Sequence, residues 1–251
     1  MIAKLALAPV LLWQGRQVRR SALRLPEAAG PRQGVEEPEM TFNAEREPLR
    51  LAVLGDSSAA GVGVPHQHQA LAQPLAAALA HRLARPVAWR LLAQTGHTAA
   101  EALAHLQASP PEPTDWLLVI VGVNDAVAQT PAARFTHTLD AIDAWGRAHL
   151  GLRHTLHSAL PPMDQFPLLP WPLRSVLGRD ARRLDAAARS RVSCAAGRHH
   201  APLPTLPAPA AQWMAEDGFH PGRAGYAAWA EHLAGFIAQV DEGEVDQGLV
   251  A

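Results

Sequence analysis

Leu49-Arg-Leu-Ala-Val-Leu-Gly55-Asp-Ser57-Ser-Ala-Ala-Gly61-Val-Gly63 is the stretch that decides the fold. A short apolar run stops abruptly at Gly-Asp-Ser. Such a run, closed by turn residues, predicts a buried strand over 49–54. Ser57 then stands just past the strand's carboxyl end, and in open α/β sheets that rim carries the chemistry. Gly55 is expected to supply an unusual backbone angle, and Gly61 and Gly63 to let the next turn pack closely.

Working outward, strands and helices alternate. The spacing predicts a helix over 70–83 and a strand over 87–93. A short helix follows over 98–107, with Thr98 as N-cap and Glu101 three residues on. Trp116-Leu-Leu-Val-Ile-Val121 is apolar on both faces, as a central parallel strand must be. A helix over 131–150 begins with Pro131 and carries the stripe Phe135, Leu139, Ile142 and Trp145. Further expectations are a strand over 155–160, a helix over 180–196 and a weak strand over 200–206. A last helix over 221–240 turns Tyr226, Trp229, Leu233 and Phe236 inward. Alternation of this kind implies parallel strands joined by right-handed crossovers. The fold class read from it is α/β, a three-layer α/β/α sandwich with about five parallel strands. Gly55–Ser57, Thr95-Gly96 and Gly122–Asp125 each follow a predicted strand, so all three point to one rim.

Composition sets the bounds. Hydrophobic residues make up 48% of the 251, against 18% charged, which supports a sizeable core rather than a disordered chain. The formal charge of −1 gives no overall attraction to nucleic acid. Cys194 is the one cysteine, so neither an intrachain disulfide nor a cysteine metal cluster is available. No apolar run reaches the roughly 18 residues of a spanning helix.

Residues 1–48 differ from the rest, and the expected division is 1–48 before one folded domain of 49–251. Lys4, Arg16, Arg19, Arg20 and Arg24 have no acidic neighbour within residues 1–25, and apolar residues accompany them. Three readings stand: a helix packed on the domain, a basic amphipathic segment on a membrane surface, and a cleaved signal. Location follows the same choice: cytoplasmic, with peripheral membrane contact through residues 1–25 or secretion as alternatives. Residues 26–48 are rich in Glu, Pro and Gly without periodicity, and read as a linker or a surface-wrapping loop.

A serine hydroxyl needs a base to take its proton, an acid to orient that base, and donors for the oxyanion. Ser57 is the nucleophile candidate, with Ser58 next to it. His220 is the base candidate, and Asp217 lies three residues earlier, close enough in a turn to fix its tautomer. Asn124 offers a side-chain amide, and Gly96 and Ser57 offer backbone N–H groups. Asp125 reads as a brace for its loop.

Gly55-Asp56-Ser57, Gly96, Gly122-Val-Asn124-Asp125 and Asp217-x-x-His220 occur in the order and at the spacing of four sequence blocks. Together they resemble the SGNH hydrolases, the GDSL esterase/lipase family, over about residues 49–240. The resemblance implies a flavodoxin-like fold, no metal or organic cofactor, and an acyl-serine intermediate. It assigns Ser57, His220 and Asp217 to a triad, and Ser57, Gly96 and Asn124 to an oxyanion hole. The family often has Leu or Ile where Ser58 follows Ser57. The expected activity is hydrolysis of small or lipid-like carboxylic esters. Thioesterase, lysophospholipase and carbohydrate deacetylase activities are alternatives, as is a non-catalytic lipid- or membrane-binding role.

The proline-rich stretch 161–172 follows a strand on the active rim. Met163, Phe166, Leu168, Leu169 and Trp171 could line an acyl pocket there, or cover the core edge. His66-Gln-His68 and His199-His200 invite a metal reading, but no carboxylate or cysteine pattern completes a site. No phosphate-binding loop of the Gly-x-x-x-x-Gly-Lys type is present.

Overall fold

The computed structural model describes residues 2–38, 47–192, 195–207 and 209–248. Cys194, Glu39 and Glu45 lie outside the described residues.

Six strands form one sheet: β1 (Gln33–Glu36), β2 (Leu49–Gly55), β3 (Val87–Ala93), β4 (Trp116–Ile120), β5 (His154–Ser158) and β6 (Arg198–Ala201). Their spatial order is β1-β3-β2-β4-β5-β6. β2 to β6 are mutually parallel, and β1 runs antiparallel to β3 at the edge. The chain leaves β2 for a neighbour on one side and returns as β4 on the other. β2 and β4 therefore flank a topological switch point, where open sheets form a crevice beyond their carboxyl ends.

Two apolar layers sandwich the sheet. Helices α2 (Ala72–Leu83) and α7 (Arg223–Gly248) cover one face, burying Leu75, Leu79, Tyr226 and Leu233 against Leu51, Val53 and Leu118. On the other face lie α3 (Ala99–Ala108), α5 (Ala132–Leu150) and α6 (Leu173–Val192), which bury Leu106, Phe135, Leu139 and Leu184 against Leu54, Leu117 and Val119. Alternate residues of β2 and β4 thus enter opposite layers, as the strand pleat requires. Arg50 is the exposed residue of β2, and its guanidinium pairs with Asp115 at 3.0 Å.

The helix ends follow their chemistry. Thr98 and Glu101 form a reciprocal capping box at α3: Glu101 Oε2 accepts the Thr98 N–H at 2.8 Å. Pro131 caps α5. A one-turn helix α4 (Val123–Val127), read in the sequence only as a loop, starts from Gly122.

Several elements differ from expectation. α6 begins at Leu173, seven residues before the expected start, because Leu173, Val176, Leu177, Ala181, Leu184 and Ala188 make one continuous buried stripe. β6 ends at Ala201, since Pro202 and Pro204 carry no N–H for the ladder. Within the stretch read as linker or wrapping loop, Gln33–Glu36 forms β1, and Glu36 accepts from Trp89 Nε1 at 3.2 Å. Ala28 is buried in the core, so this stretch wraps the same sheet.

Helix α1 (Ile2–Ser21) packs on the domain through Leu11, Gln14 and Val18. Gln14 reaches the loop before α6: its Nε2 donates to the Trp171 carbonyl at 2.7 Å, and its Oε1 accepts the Leu173 N–H at 3.1 Å. Among the described residues no helix is long and apolar enough to cross a membrane.

Candidate active site

β2 ends in the Gly-Asp-Ser turn, and its neighbour β4 ends in Gly-Val-Asn-Asp. Gly55 has no positive φ, contrary to the sequence expectation; what it supplies is space. A Cβ there would stand 2.6 Å from both the Ile120 carbonyl oxygen and the Ala59 Cβ. The two strand ends can approach only with glycine at this position. Gly63 does the same for the distant His220 loop. With φ at +109°, a Cβ on Gly63 would stand 2.3 Å from the Pro221 carbonyl oxygen.

That contact draws His220 over Ser57. His220 Nε2 lies 2.8 Å from Ser57 Oγ, and its Nδ1 lies 2.6 Å from Asp217 Oδ2. Asp217 Oδ1 also accepts the N–H groups of Phe219 and His220, each at 3.0 Å. Asp217 is buried, and burial alone would raise its pKa. The His220 ring and the two N–H donors outweigh that and hold the carboxyl below its usual range. Three residues from two loops form a continuous relay from carboxylate to imidazole to hydroxyl.

Asn124, in the first turn of α4, reaches across the rim. Its Nδ2 donates to the His97 carbonyl at 3.0 Å and, at the longer distance of 3.4 Å, to Asp56 Oδ2. Asp125 Oδ2 accepts the Ala99 N–H at 2.9 Å, which ties α4 to the start of α3 and makes it the expected brace. Gly96 has φ at +91°, with open space where a Cβ would be. Among the described residues, neither the Ser57 N–H nor the Gly96 N–H has a protein acceptor. Three N–H-bearing groups therefore sit just beyond the carboxyl ends of β2, β3 and β4, the rim that carries Ser57.

Asp56 was not singled out as a site residue by sequence reasoning. It is buried, and its Oδ1 accepts the Ser58 N–H at 2.9 Å. Burial pushes its pKa up to about 6.

An apolar cavity of about 340 Å³ opens beside this turn. Asp56 and Ser58 stand at its polar edge, and Ile120, Leu160, Phe166, Trp213, Phe219 and Trp229 give it apolar walls. Of the pocket residues expected from 161–172, Phe166 lines the cavity and packs edge-on to Phe219. Met163 and Leu169 are instead buried in the layer beneath, and Leu168 does not reach the cavity. Trp171 is 70% exposed on the outer surface and does not reach it either. The wall comes in large part from 203–214, with Leu203, Leu206, Trp213 and Met214. The sequence signal was the same as in 161–172, alternating prolines and apolar residues after a strand on the active rim.

The histidine pairs engage neighbouring side chains. His66 stacks on His68, His199 Nε2 lies 3.1 Å from His154 Nδ1, and His200 Nε2 lies 3.0 Å from Asp185. Among the described residues no group of three or more His, Cys, Asp or Glu side chains is arranged to hold a metal ion.

Comparison with known proteins bears on the family and the fold. The family model for the GDSL-like Lipase/Acylhydrolase family matches residues 53–228. None of the curated proteins matches the chain by sequence. Among solved structures, the psychrotrophic esterase EstA from Pseudoalteromonas sp. is 18% identical, with a TM-score of 0.58 over 77% of this chain and 98% of that one. The lipase Lip_vut3 from a goat rumen metagenome is 16% identical, with a TM-score of 0.58 over 74% and 95%. The lipase/acylhydrolase from Enterococcus faecalis is 18% identical, with a TM-score of 0.51 over 76% and 96%. At these identities the structural likeness speaks to the fold, and the family model to membership. The chain belongs to the GDSL-like lipase/acylhydrolase family, the SGNH hydrolases.

Proposed function

We propose that the chain hydrolyses carboxylic esters through an acyl-serine intermediate, with Ser57 as nucleophile, His220 as base and Asp217 as its orienting acid. The observation that carries this is the relay itself: 2.8 Å from Ser57 Oγ to His220 Nε2 and 2.6 Å from Nδ1 to Asp217. Ser57 Oγ attacks the ester carbonyl carbon as its proton passes to His220 Nε2. Asp217 holds the other ring proton on Nδ1 and stabilises the imidazolium. The carbonyl oxygen becomes an oxyanion, taken by the free Ser57 and Gly96 N–H groups and by Asn124. The 3.4 Å bond from Asn124 to Asp56 is the weaker of its two, and is the one the oxyanion displaces. The tetrahedral adduct then expels the alcohol, which receives the proton from His220. Water repeats the sequence on the acyl-serine, giving the acid and free Ser57. Each oxyanion donor contributes roughly 3 to 4 kcal/mol to the barrier reduction.

The cavity beside Ser58 takes the acyl group. Its apolar walls favour a hydrocarbon chain over a sugar, which would leave hydroxyls without partners. EstA is described as inhibited by monoethylphosphonate, and phosphonates resemble the tetrahedral adduct of acyl transfer. The test is hydrolysis of p-nitrophenyl esters from acetyl to dodecanoyl, with a thioester and an acetylated sugar alongside. Longer acyl esters should react faster than acetyl. Ser57→Ala should abolish turnover, while Ser58→Ala retains it. Equal rates for the well-folded Ser57→Ala protein would overturn the proposal.

A further inference from the structure

Among the described residues, seven large hydrophobic side chains are conspicuously exposed, and five of them gather around α1. Val10, Leu12 and Trp13 are on the helix, at 43%, 61% and 64% exposure, and Leu23 follows its end. The fifth is Trp171, whose carbonyl Gln14 holds. Leu11, Gln14 and Val18 use the inner stripe of α1, so docking on the domain leaves these side chains in water. Two exposed tryptophans are unusual where a core is available to bury them.

Charge sharpens the picture. Arg16, Arg19, Arg20 and Arg24 are exposed, and among the described residues none has a carboxylate partner. The stretch 1–25 carries five cations and no anion, while the whole chain is −1, so the remainder is −6. A wholly basic element thus also displays Trp and Leu. Indole and leucine side chains beside arginines, with no acid, match the headgroup region of an anionic bilayer.

We propose that the outer face of α1, with Trp171 beside it, binds the surface of an anionic lipid bilayer. The helix lies in the headgroup plane, with its apolar side chains dipping in and its arginines on lipid phosphates. The loop 161–172 gives the contact a consequence for catalysis. It carries Pro161, Pro162, Gln165 and Phe166 on the cavity at one end and Trp171 against α1 at the other. The bilayer would lie one loop away from the acyl cavity, which suits a lipid ester as substrate. That last step rests on the esterase reading; the binding itself does not.

The test is co-sedimentation of the full chain with vesicles of phosphatidylcholine alone and with one third phosphatidylglycerol. Binding should appear on the anionic vesicles and fall steeply between 0.1 and 1 M salt, as the screening length drops from about 10 to about 3 Å. Arg16, Arg19 and Arg20 together changed to Gln should weaken partitioning roughly a hundredfold. Leu12→Ser with Trp13→Ser should weaken it roughly tenfold or more. Both variants should keep the wild-type rate on a short soluble ester, which shows the domain intact. Ser57→Ala should bind like wild type, so a failed esterase reading would leave this result standing. Equal binding to neutral vesicles, or undiminished binding by either surface variant, would overturn the proposal. So would self-association without lipid that the same variants abolish, which would assign the patch to a second copy of the chain.

Discussion

Gly63→Ala should damage catalysis from outside the proposed triad, and the structure gives the size of the effect. The new Cβ would stand 2.3 Å from the Pro221 carbonyl oxygen, while real Cβ atoms essentially never approach closer than 3.0 Å. The carbonyl must retreat by about 0.7 Å to reach that limit. Pro221 follows His220 directly, so the proposed base moves with it. The 2.8 Å bond from Nε2 to Ser57 Oγ then stretches toward the edge of hydrogen bonding. Misplacement of this order costs on the order of a hundredfold in rate, or about 2.7 kcal/mol. The φ of +109° adds strain that should cost about 1–3 kcal/mol in stability. Gly235→Ala, in α7, is the control: nothing lies within 4 Å of its Cβ and its φ is ordinary, so helix propensity should stabilise it by up to about 1 kcal/mol. The assay is kcat/KM on a soluble ester together with urea unfolding of both variants. A Gly63→Ala enzyme with wild-type kcat/KM would refute the view that this contact sets the base on the nucleophile.

Other outcomes follow from the same geometry. Asn124→Ala should lower kcat by a hundredfold to a thousandfold with little change in KM, read from steady-state kinetics. Asp217→Asn should lower kcat on the order of ten-thousandfold, because an amide permits the wrong histidine tautomer. Burial holds the pKa of His157 down to about 3, with Arg198 adding to the effect. Below its ordinary value of about 6.5 the unfolded chain binds a proton that the folded chain refuses. His157 therefore withdraws stability as pH falls from about 6.5 to about 3, by about 5 kcal/mol in all. Asp56, raised to about 6, acts in the opposite sense as pH falls from about 6 to about 4, by up to about 3 kcal/mol. Urea unfolding at several pH values should find a shallower acid loss for His157→Gln; a slope equal to wild type would count against a neutral buried imidazole.

The parts of the fold legible in the sequence were those whose cause is local. β2 and β4 are apolar because both faces are covered, and α3 carries its own capping box. Three of the four site blocks were legible because each follows a strand, and parallel strands bring their carboxyl ends together; Asp217-x-x-His220 follows no strand and was legible from its own three-residue spacing and from the family resemblance. What could not be read depends on distant partners. β1 is Gln-Gly-Val-Glu, mostly exposed and without a pattern; it is a strand because β3 offers an edge. The role of Gly55 depends on Ile120, and that of Gly63 on Pro221, more than 150 residues away. Met163 and Phe166 look alike in sequence. Only the approach of 163–165 to Gly178, where a Cβ would stand 2.7 Å from the Asp164 Cβ, turns Met163 into the core and leaves Phe166 on the cavity.

The central claim is that Ser57 is the activated nucleophile. The direct measurement is reaction of the full chain with a fluorophosphonate, followed by mass spectrometric mapping of the modified residue. The account predicts a single adduct on Ser57, retained in Ser58→Ala, lost in Ser57→Ala and strongly slowed in His220→Ala. An adduct on Ser58 or elsewhere, or no adduct on well-folded protein, would contradict it.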